Sequence, residues 1–334
     1  MISSYALKVN NYYAKLREKQ IARYEKNKEY AFTNFPVIEE IQSEINKKTS
    51  SLIMSSINNP NFSEKEFNKK KIDIQDLRAM ITEILVENNL PVDFLDMVYN
   101  CPICQDTGYV GSKKCQCYKK TLAKIYLEES ELKDLIEKYN FEKFDFNLFP
   151  RQIIEKEEMS PRTNIRNIRN EVLNYIDNFE NTNVNLCFYG PVGSGKSYMT
   201  YCIAKELLSR GFLVIYKSAL DLFDNLKTIR LQQDRNLEDL IYNCDLLIID
   251  DFGIEVTNDY TYLDLFNMLN KKMLYNKKML ISTNLILENL LEKYEERIYS
   301  RLIGGFKFHK FLGEDLRIEL SNKKPKKIKE NNQS

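Results

Sequence analysis

The sequence of 334 residues has no tryptophan and one histidine, and glycine and proline are scarce at ten and eight residues. It also lacks any apolar run approaching the ~18 residues that a transmembrane helix requires. Its first residues contain no apolar core of the kind found in signal peptides. We therefore predict a cytoplasmic protein that does not contact a membrane.

An excess of charge of either sign is absent too, since 49 basic residues are balanced by 48 acidic ones. Any contact with nucleic acid must therefore come from a local patch and not from the charge of the whole chain. Seven cysteines in a cytoplasmic chain favour free thiols or metal ligands over a disulfide framework. The length of the chain suits two domains with connecting segments.

The few glycines are concentrated in one segment, where three of the ten lie within six positions. This segment fits the pattern G-x-x-x-x-G-K-[ST], and its residues are Gly190, Pro191, Val192, Gly193, Ser194, Gly195, Lys196 and Ser197. An apolar run before it predicts a strand, and helical spacing of apolar residues after it predicts a helix, which is the context of a phosphate site. Lys196 would reach the β- and γ-phosphates and Ser197 would hold Mg²⁺. The flanking patterns disfavour the alternative of a glycine-rich turn with a chance lysine.

Two later apolar runs end in polar residues. The run 246–249 leads into Asp250 and Asp251, and the run 279–282 leads to Asn284. If these strands lie parallel to the phosphate-loop strand, we expect Asp250 near Mg²⁺ and Asp251 near the attacking water. Asn284 would then hydrogen-bond the γ-phosphate or that water. The alternative for the two acids is a surface turn, and the Asn284 segment is a weak signal by itself.

A cysteine-rich segment lies closer to the N-terminus. It has the pattern C-x₂-C-x₁₀-C-x-C, formed by Cys101, Cys104, Cys115 and Cys117. Four thiolates can surround one tetrahedral Zn²⁺, and a site with four protein ligands is structural because it keeps no open position. The C-x-C half departs from the usual C-x₂-C spacing. An Fe–S cluster or four reduced cysteines in an ordinary loop are the alternatives.

The order of the patterns predicts an α/β fold with additional parts. Residues 1–97 are predicted to form a helical region, 98–120 a zinc-binding module, 121–160 a helical linker, and 161–320 a nucleotide-binding domain. In the last of these, strands near 184–189, 212–217, 246–249, 279–282 and 306–311 alternate with helices. This alternation is typical of a parallel sheet that helices cover on both faces. Residues 321–334 are predicted to be a basic, disordered tail.

Four of these segments, taken together, resemble the DnaC/DnaI helicase-loader family of AAA+ ATPases. The segments are 190–197, 247–253, 281–284 and 296–302, and the resemblance covers roughly residues 160 to 320. The related IstB transposition ATPases share the same core. The cysteine-rich segment, with Asp106-Thr-Gly-Tyr109 between its cysteine pairs, resembles loaders of the DnaI type more than IstB proteins.

The resemblance implies a role for individual residues. Lys196 and Ser197 would be the Walker A pair, and Asp250 and Asp251 the Walker B pair, with an Asp where many AAA+ proteins have Glu. Because the shorter acid reaches less far, hydrolysis is expected to be slow. Asn284 would be sensor 1. The remaining implied residues are Arg297 or Arg301 as an arginine finger donated to a neighbouring subunit, and Arg317 at the sensor 2 position.

The resemblance also implies contact with single-stranded DNA through the segment 218–230. Lys227 and Arg230 could meet phosphates, and Phe223 could offer a stacking face to a base. The alternative is an ordinary amphipathic helix in which Phe223 is a core residue.

Together, these observations predict an ATP-dependent loader of the replicative DNA helicase that acts in initiation or restart of DNA replication. It would use ATP, Mg²⁺ and Zn²⁺, bind helicase and single-stranded DNA, and form an ATP-dependent homo-oligomer. An IstB-like transposition ATPase and a nucleotide-switched adaptor with negligible hydrolysis are the alternatives. A small-molecule kinase is disfavoured, because Asn284 and the two arginines have no clear task in one.

Overall fold

The computed structural model describes residues 3–58, 64–155, 157–256 and 258–316. The chain divides into two compact units, one made of residues 10–115 and the other of residues 1–9 together with 116–334. Among the described residues, no helix is both long enough and apolar enough to cross a membrane. The finer domain boundaries named above stay predictions, and the tail 321–334 lies outside the described residues.

Three long helices dominate the N-terminal part of the chain: α1 (Ser3–Asn34), α2 (Pro36–Asn58) and α3 (Glu64–Glu87). Pro36 occupies the first position of α2, where its missing N–H costs no helical hydrogen bond. The apolar stripes of α2 and α3 share a buried cluster, which contains Ala31, Ile38, Ile41, Ile45, Ile74, Ile81 and Leu85. A short antiparallel hairpin follows, with strands β1 (Tyr109–Val110) and β2 (Lys113–Lys114).

The second unit is built on a five-stranded parallel sheet, as the sequence predicted. Its strands are β3 (Asn185–Tyr189), β4 (Val214–Ser218), β5 (Leu246–Phe252), β6 (Lys278–Thr283) and β7 (Phe306–Lys310). Their order across the sheet is β4-β5-β6-β3-β7, and every neighbouring pair is parallel. All five strands therefore end at the same edge of the sheet. Strand β6 lies beside the strand that leads into the glycine loop, and β5 lies on the other side of β6.

Helices cover both faces of this sheet. They are α4 (Gln116–Glu128), α5 (Leu132–Lys138), α6 (Pro161–Asp177), α7 (Lys196–Ser209), α8 (Ala219–Gln232), α9 (Arg235–Asn243), α10 (Asp259–Leu274) and α11 (Leu287–Gly305). Alternate residues of β5 enter two different apolar clusters: Leu247 and Ile249 pack with α8, α10 and α11, whereas Leu246 and Ile248 pack with α6 and α7. A strand buried on both faces needs apolar residues at every position, which explains the continuous apolar runs of the sequence.

Helix α11 is broken within its length. Glu295 has φ 56° and ψ 170°, which is not a helical conformation, and two helical segments meet there at a kink. A non-glycine residue with positive φ is uncommon and persists only where its surroundings hold it. The kink therefore sets the direction of the segment after Glu295, which carries Arg297 and Arg301.

Candidate nucleotide-binding site and cysteine cluster

The glycine loop follows β3 and ends where α7 begins, at Lys196. Gly190 and Gly193 have φ of 140° and 73°, conformations that L side chains rarely adopt. A Cβ on Gly190 would overlap the carbonyl oxygen of Phe311, and one on Gly193 would overlap Asp315. The loop thus needs glycine for both its backbone shape and its close contact with the segment after β7.

The basic residue of the loop is held inside it. Lys196 is 5% exposed, and its ammonium group donates to the carbonyl oxygens of Gly190 at 2.9 Å and Pro191 at 2.7 Å. The next residue, Ser197, donates its hydroxyl to Oδ1 of Asp250 at 3.1 Å. The N-terminus of α7, with its partial positive charge, adds to the attraction of this loop for anionic groups.

The two acids at the end of β5 sit in a bulge. Ile249 pairs with Ile281 and Phe252 pairs with Thr283, so β5 has one residue more than β6 over this stretch. A bulge redirects side chains locally, and here Asp250 is 4% exposed whereas Asp251, with φ 53°, is exposed. The sequence places the acids at the strand end, and the bulge gives each a separate environment.

Asp250 is surrounded by hydroxyl donors. The Tyr216 hydroxyl on β4 donates to Oδ2 at 2.5 Å, and the hydroxyls of Ser197 and Ser282 both donate to Oδ1. A carboxylate beside a serine hydroxyl at the end of a phosphate loop is a fitting ligand set for Mg²⁺, which prefers oxygen ligands. Asp250 and Ser197 are therefore the residues that would hold the ion.

Asp251 faces a different partner. The side-chain amide of Asn284 donates to its Oδ1 at 3.3 Å, and the backbone N–H of Asp251 donates to the Ser282 hydroxyl at 3.3 Å. The structure thus brings together the predicted Lys196, Ser197, Asp250, Asp251 and Asn284 at one edge of the sheet. An exposed carboxylate next to an amide is suited to orienting a water molecule.

Two tyrosines and a serine also belong to this site, although no sequence pattern predicts them. The hydroxyls of Tyr201 and Tyr216 are hydrogen-bonded to each other at 3.1 Å, and the Tyr216 hydroxyl in turn donates to Asp250. Burial raises the pKa of Tyr201 to about 12, and burial with the negative charge of Asp250 raises the pKa of Tyr216. Both hydroxyls therefore keep their protons. No local pattern marks Tyr216 or Ser282, because each reaches Asp250 from a neighbouring strand.

The two candidate arginines differ in their surroundings. Arg301 donates from Nε to Asn270 and from a terminal nitrogen to the carbonyl oxygen of Arg297 at 2.8 Å, and its guanidinium lies 4.0 Å from the centre of the Phe266 ring. Arg297 is exposed. Arg301 thus has a task within its own chain, whereas the Arg297 side chain is presented to solvent.

The expected DNA-contacting residues on α8 also differ from one another. Phe223 is 7% exposed and lies in the apolar cluster between α8, α10 and the sheet, so its ring packs as a core side chain and presents no open face to a base. Arg230 is paired with Asp264 at 3.0 Å and lies 5.0 Å from the centre of the Tyr260 ring. Lys227 is exposed. Arg317 lies outside the described residues.

The four predicted cysteine ligands lie together. Their sulfur atoms are all within 4.8 Å of one another, and Cys101 and Cys115 are 3.9 Å apart at Sγ. The hairpin of β1 and β2 folds the chain back between the two cysteine pairs. Four sulfurs at these separations suit a tetrahedral structural zinc ion.

A buried carboxylate supports the first cysteine pair. Asp106 is fully buried, and its two oxygens accept the backbone N–H groups of Asn100 at 2.9 Å and Cys101 at 2.8 Å. The backbone N–H of Gly108 donates to the Cys104 sulfur at 3.3 Å. Outer contacts of this kind orient metal ligands before an ion binds, so Asp106 belongs to the cluster as a supporting residue.

The chain is similar in sequence to a known protein family and to proteins of DNA replication. The family described as IstB-like ATP binding protein matches residues 125–300. The chain is 27% identical over 219 residues to the chromosomal replication initiator protein DnaA of Aquifex aeolicus (strain VF5), covering 63% of this chain and 51% of that protein. It is 27% identical over 135 residues to the replicative helicase loader DnaC of Escherichia coli (strain K12), covering 39% of this chain and 55% of that protein.

The chain thus spans about half the length of the curated relatives it matches. Among solved structures, the crystal structure of DnaI aligns with a TM-score of 0.43 and 19% identity, covering 55% of this chain and 93% of that chain.

Proposed function

The chain belongs to the IstB-like ATP-binding protein family, and from this premise we propose that it is an ATP-dependent loader of a replicative DNA helicase that acts in the cytoplasm. The observation that carries the proposal is the convergence of Lys196, Ser197, Asp250, Asp251 and Asn284 at one edge of the sheet. Similarity to a protein named replicative helicase loader supports the choice of helicase as partner.

In this proposal, the phosphate loop binds the triphosphate of ATP. Lys196 exchanges its bonds to the loop carbonyls for bonds to the β- and γ-phosphates, and the backbone of the loop cradles the remaining oxygens. Ser197 and Asp250 would hold Mg²⁺, which would supply positive charge to the phosphate oxygens. Tyr216 and Ser282 keep the Asp250 carboxylate in place by donating to its two oxygens.

Hydrolysis needs a positioned water and a stabilised γ-phosphate. Asp251 accepts a hydrogen bond from the water and Asn284 orients it, since the two side chains already share a hydrogen bond. Arg297 completes the site of a neighbouring subunit, because it is exposed whereas Arg301 is bound to Asn270 and Phe266. ATP then links subunits into a homo-oligomer.

The arginine assignment has a direct test. Arg297→Ala should preserve ATP binding and lower the hydrolysis rate by about a thousandfold, the low end of what an arginine finger contributes. The matched control is Arg301→Ala, which should lower thermal stability through lost packing and hydrogen bonds and leave the rate within a factor of about three. A normal rate for Arg297→Ala would contradict the assignment, and loss of activity only in Arg301→Ala would reverse it.

The other regions have proposed roles like those of helicase loaders. Residues 1–97 and the cysteine module 98–120 would bind the helicase. Residues 121–160 would link these regions to the ATPase domain 161–320, which would engage single-stranded DNA. On α8, the exposed Lys227 is a candidate for a phosphate contact, and Arg230 is a second exposed candidate that is paired with Asp264. ATP turnover would release the loader from the helicase.

Co-purification tests the partner. The full chain, loaded with a non-hydrolysable ATP analogue, should retain a hexameric replicative helicase from a lysate, and Lys196→Ala should retain less of it. Recovery of a transposase in place of the helicase would overturn the proposal in favour of an IstB-like transposition ATPase. A turnover assay with helicase and single-stranded DNA separates an enzyme from a nucleotide-switched adaptor with negligible hydrolysis.

A further inference from the structure

A third acid follows the two acids at the end of β5. Glu255 is 3% exposed, although its neighbours Ile254 and Val256 are exposed. Its Oε2 accepts the backbone N–H of Gly253 at 3.0 Å, and its Oε1 accepts the hydroxyl of Tyr294 on α11. Burial of a carboxyl group is unfavourable unless its oxygens are satisfied. Here Oε2 is bonded within the segment after β5, and Oε1 joins that segment to α11.

Tyr294 is fully buried and makes a second contact with the same segment. Its ring stacks on Phe252 with 4.6 Å between ring centres and 17° between planes. Burial and the negative charge of Glu255 raise the pKa of Tyr294, so the hydroxyl keeps its proton and donates. The preceding residue, Lys293, adds a bond from its ammonium group to the carbonyl oxygen of Glu255 at 2.7 Å.

The segment that joins Asp251 to Glu255 is itself fixed. The Thr283 hydroxyl donates to the carbonyl oxygen of Phe252 at 2.5 Å. Gly253 has φ 106°, and a Cβ at this position would overlap the side chain of Leu285. A displacement of Asp251 would therefore be transmitted to Glu255, because the short connection between them is held by the end of β6.

The bonded residues on α11 lie directly before its kink. Lys293 and Tyr294 precede Glu295, whose φ of 56° breaks the helix, and the exposed Arg297 follows two positions later. A backbone with positive φ at a non-glycine residue persists only where neighbouring contacts over-determine it. The bonds from residues 293 and 294 to Glu255 are contacts of that kind.

We propose that Glu255 and Tyr294 form a positioning pair, which ties the acidic end of β5 to the kink in α11 and so aims Arg297 at the ATP of the neighbouring subunit. The inference rests on the proposed trans role of Arg297. Tyr294 thus affects ATP hydrolysis in a neighbouring subunit without contacting that subunit's nucleotide. The pair also connects each subunit's own site with the arginine that the same subunit donates.

The test uses Tyr294→Phe, which removes the hydroxyl and keeps the ring stacked on Phe252. ATP binding should be unchanged, whereas hydrolysis should fall by about a hundredfold, as expected when a catalytic group is misplaced by ~1 Å. Tyr299→Phe is the matched control, because it removes a hydroxyl from the same helix beyond the kink, and it should hydrolyse ATP at the wild-type rate. The double variant Glu255→Gln with Tyr294→Phe should lower the hydrolysis rate no more than the more severe single substitution, since the effects of paired residues are not additive.

Mixing subunits separates a misplaced arginine from a damaged site. Asp251→Asn subunits keep Arg297 and the phosphate loop but lack the acid that polarises water, so they can donate an arginine without hydrolysing ATP themselves. Added in excess, they should restore hydrolysis to Tyr294→Phe subunits and equally to Arg297→Ala subunits. Rescue is a readout that general destabilisation of the fold would not produce.

The outcomes distinguish this inference from the function on which it rests. If Arg297→Ala is rescued but Tyr294→Phe either hydrolyses normally or resists rescue, the positioning pair is overturned and the trans arginine stands. If Arg297→Ala is not rescued, the trans arginine and the positioning pair fall together. If Tyr294→Phe does not fold, Glu255→Gln subunits take its place, and failure of the added subunits to rescue them overturns the inference.

Discussion

The cysteine cluster and the nucleotide site are assembled in different ways. The four sulfurs come from residues 101–117, and a short hairpin is enough to bring them together. The polar groups around Asp250 of β5 come from α7, β4 and β6, whose residues are far apart in sequence. The cluster therefore depends on local spacing, whereas the nucleotide site depends on strand order and register.

Among the changes in binding, the largest expected effect falls on the nucleotide site alone. Lys196→Ala removes a buried ammonium group and should weaken ATP binding by about a hundredfold or more, as expected for the loss of two charge-assisted hydrogen bonds. Isothermal titration with ATP measures the change. Lys205→Ala, on the same helix but paired with Glu142 at 3.5 Å, is the control and should bind ATP normally. Equal binding by Lys196→Ala and wild type would remove the basis for the phosphate site.

The converse change tests the cysteine cluster. Cys101→Ser should lose bound zinc, because a structural site with four protein ligands does not tolerate the loss of one thiolate. Zinc content is measured on the purified protein by elemental analysis, together with ATP affinity, which should be unchanged. Cys202→Ala, a substitution in the apolar core of the second unit, should keep the metal. A wild-type protein purified without zinc, or zinc retained by Cys101→Ser, would count against the site.

The smallest expected effect concerns the bond that only the strand register creates. Tyr216→Phe removes the hydroxyl that donates to Asp250 Oδ2. In the presence of nucleotide, the affinity for Mg²⁺ should fall by about tenfold, a typical cost of losing a contact to a metal ligand. Tyr201→Phe should have a smaller effect, because Tyr201 reaches Asp250 only through Tyr216. An unchanged or higher affinity of Tyr216→Phe for Mg²⁺ would show that the hydroxyl does not support the Asp250 ligand.

The parallel sheet, the loop and the line of polar residues at its edge could be predicted from sequence because each follows from short patterns. A strand buried on both faces appears in the sequence as a continuous apolar run, and the phosphate loop appears as closely spaced glycines. Phe223 shows the limit of such patterns. Its helical spacing is the same whether α8 faces DNA or the core, and only the packing of α8 on α10 and the sheet buries it.

The two arginines show the same limit in another form. Four residues apart on one predicted helix, they were equivalent in sequence. The structure distinguishes them through Asn270 and Phe266, which come from α10 and hold Arg301 alone. It also reveals the break at Glu295, for which no glycine or proline gives a signal.

The sequence by itself determined the phosphate loop, the cysteine spacing and the parallel arrangement of the strands, because those depend on residue types at fixed separations along the chain. The tertiary structure decided which hydroxyls hold Asp250, which arginine is exposed and how Glu255 meets Tyr294. These depend on strand register, a bulge and a kinked helix. The physical reason is that a buried polar group must find its partner in space, and that partner comes from whichever element packs beside it.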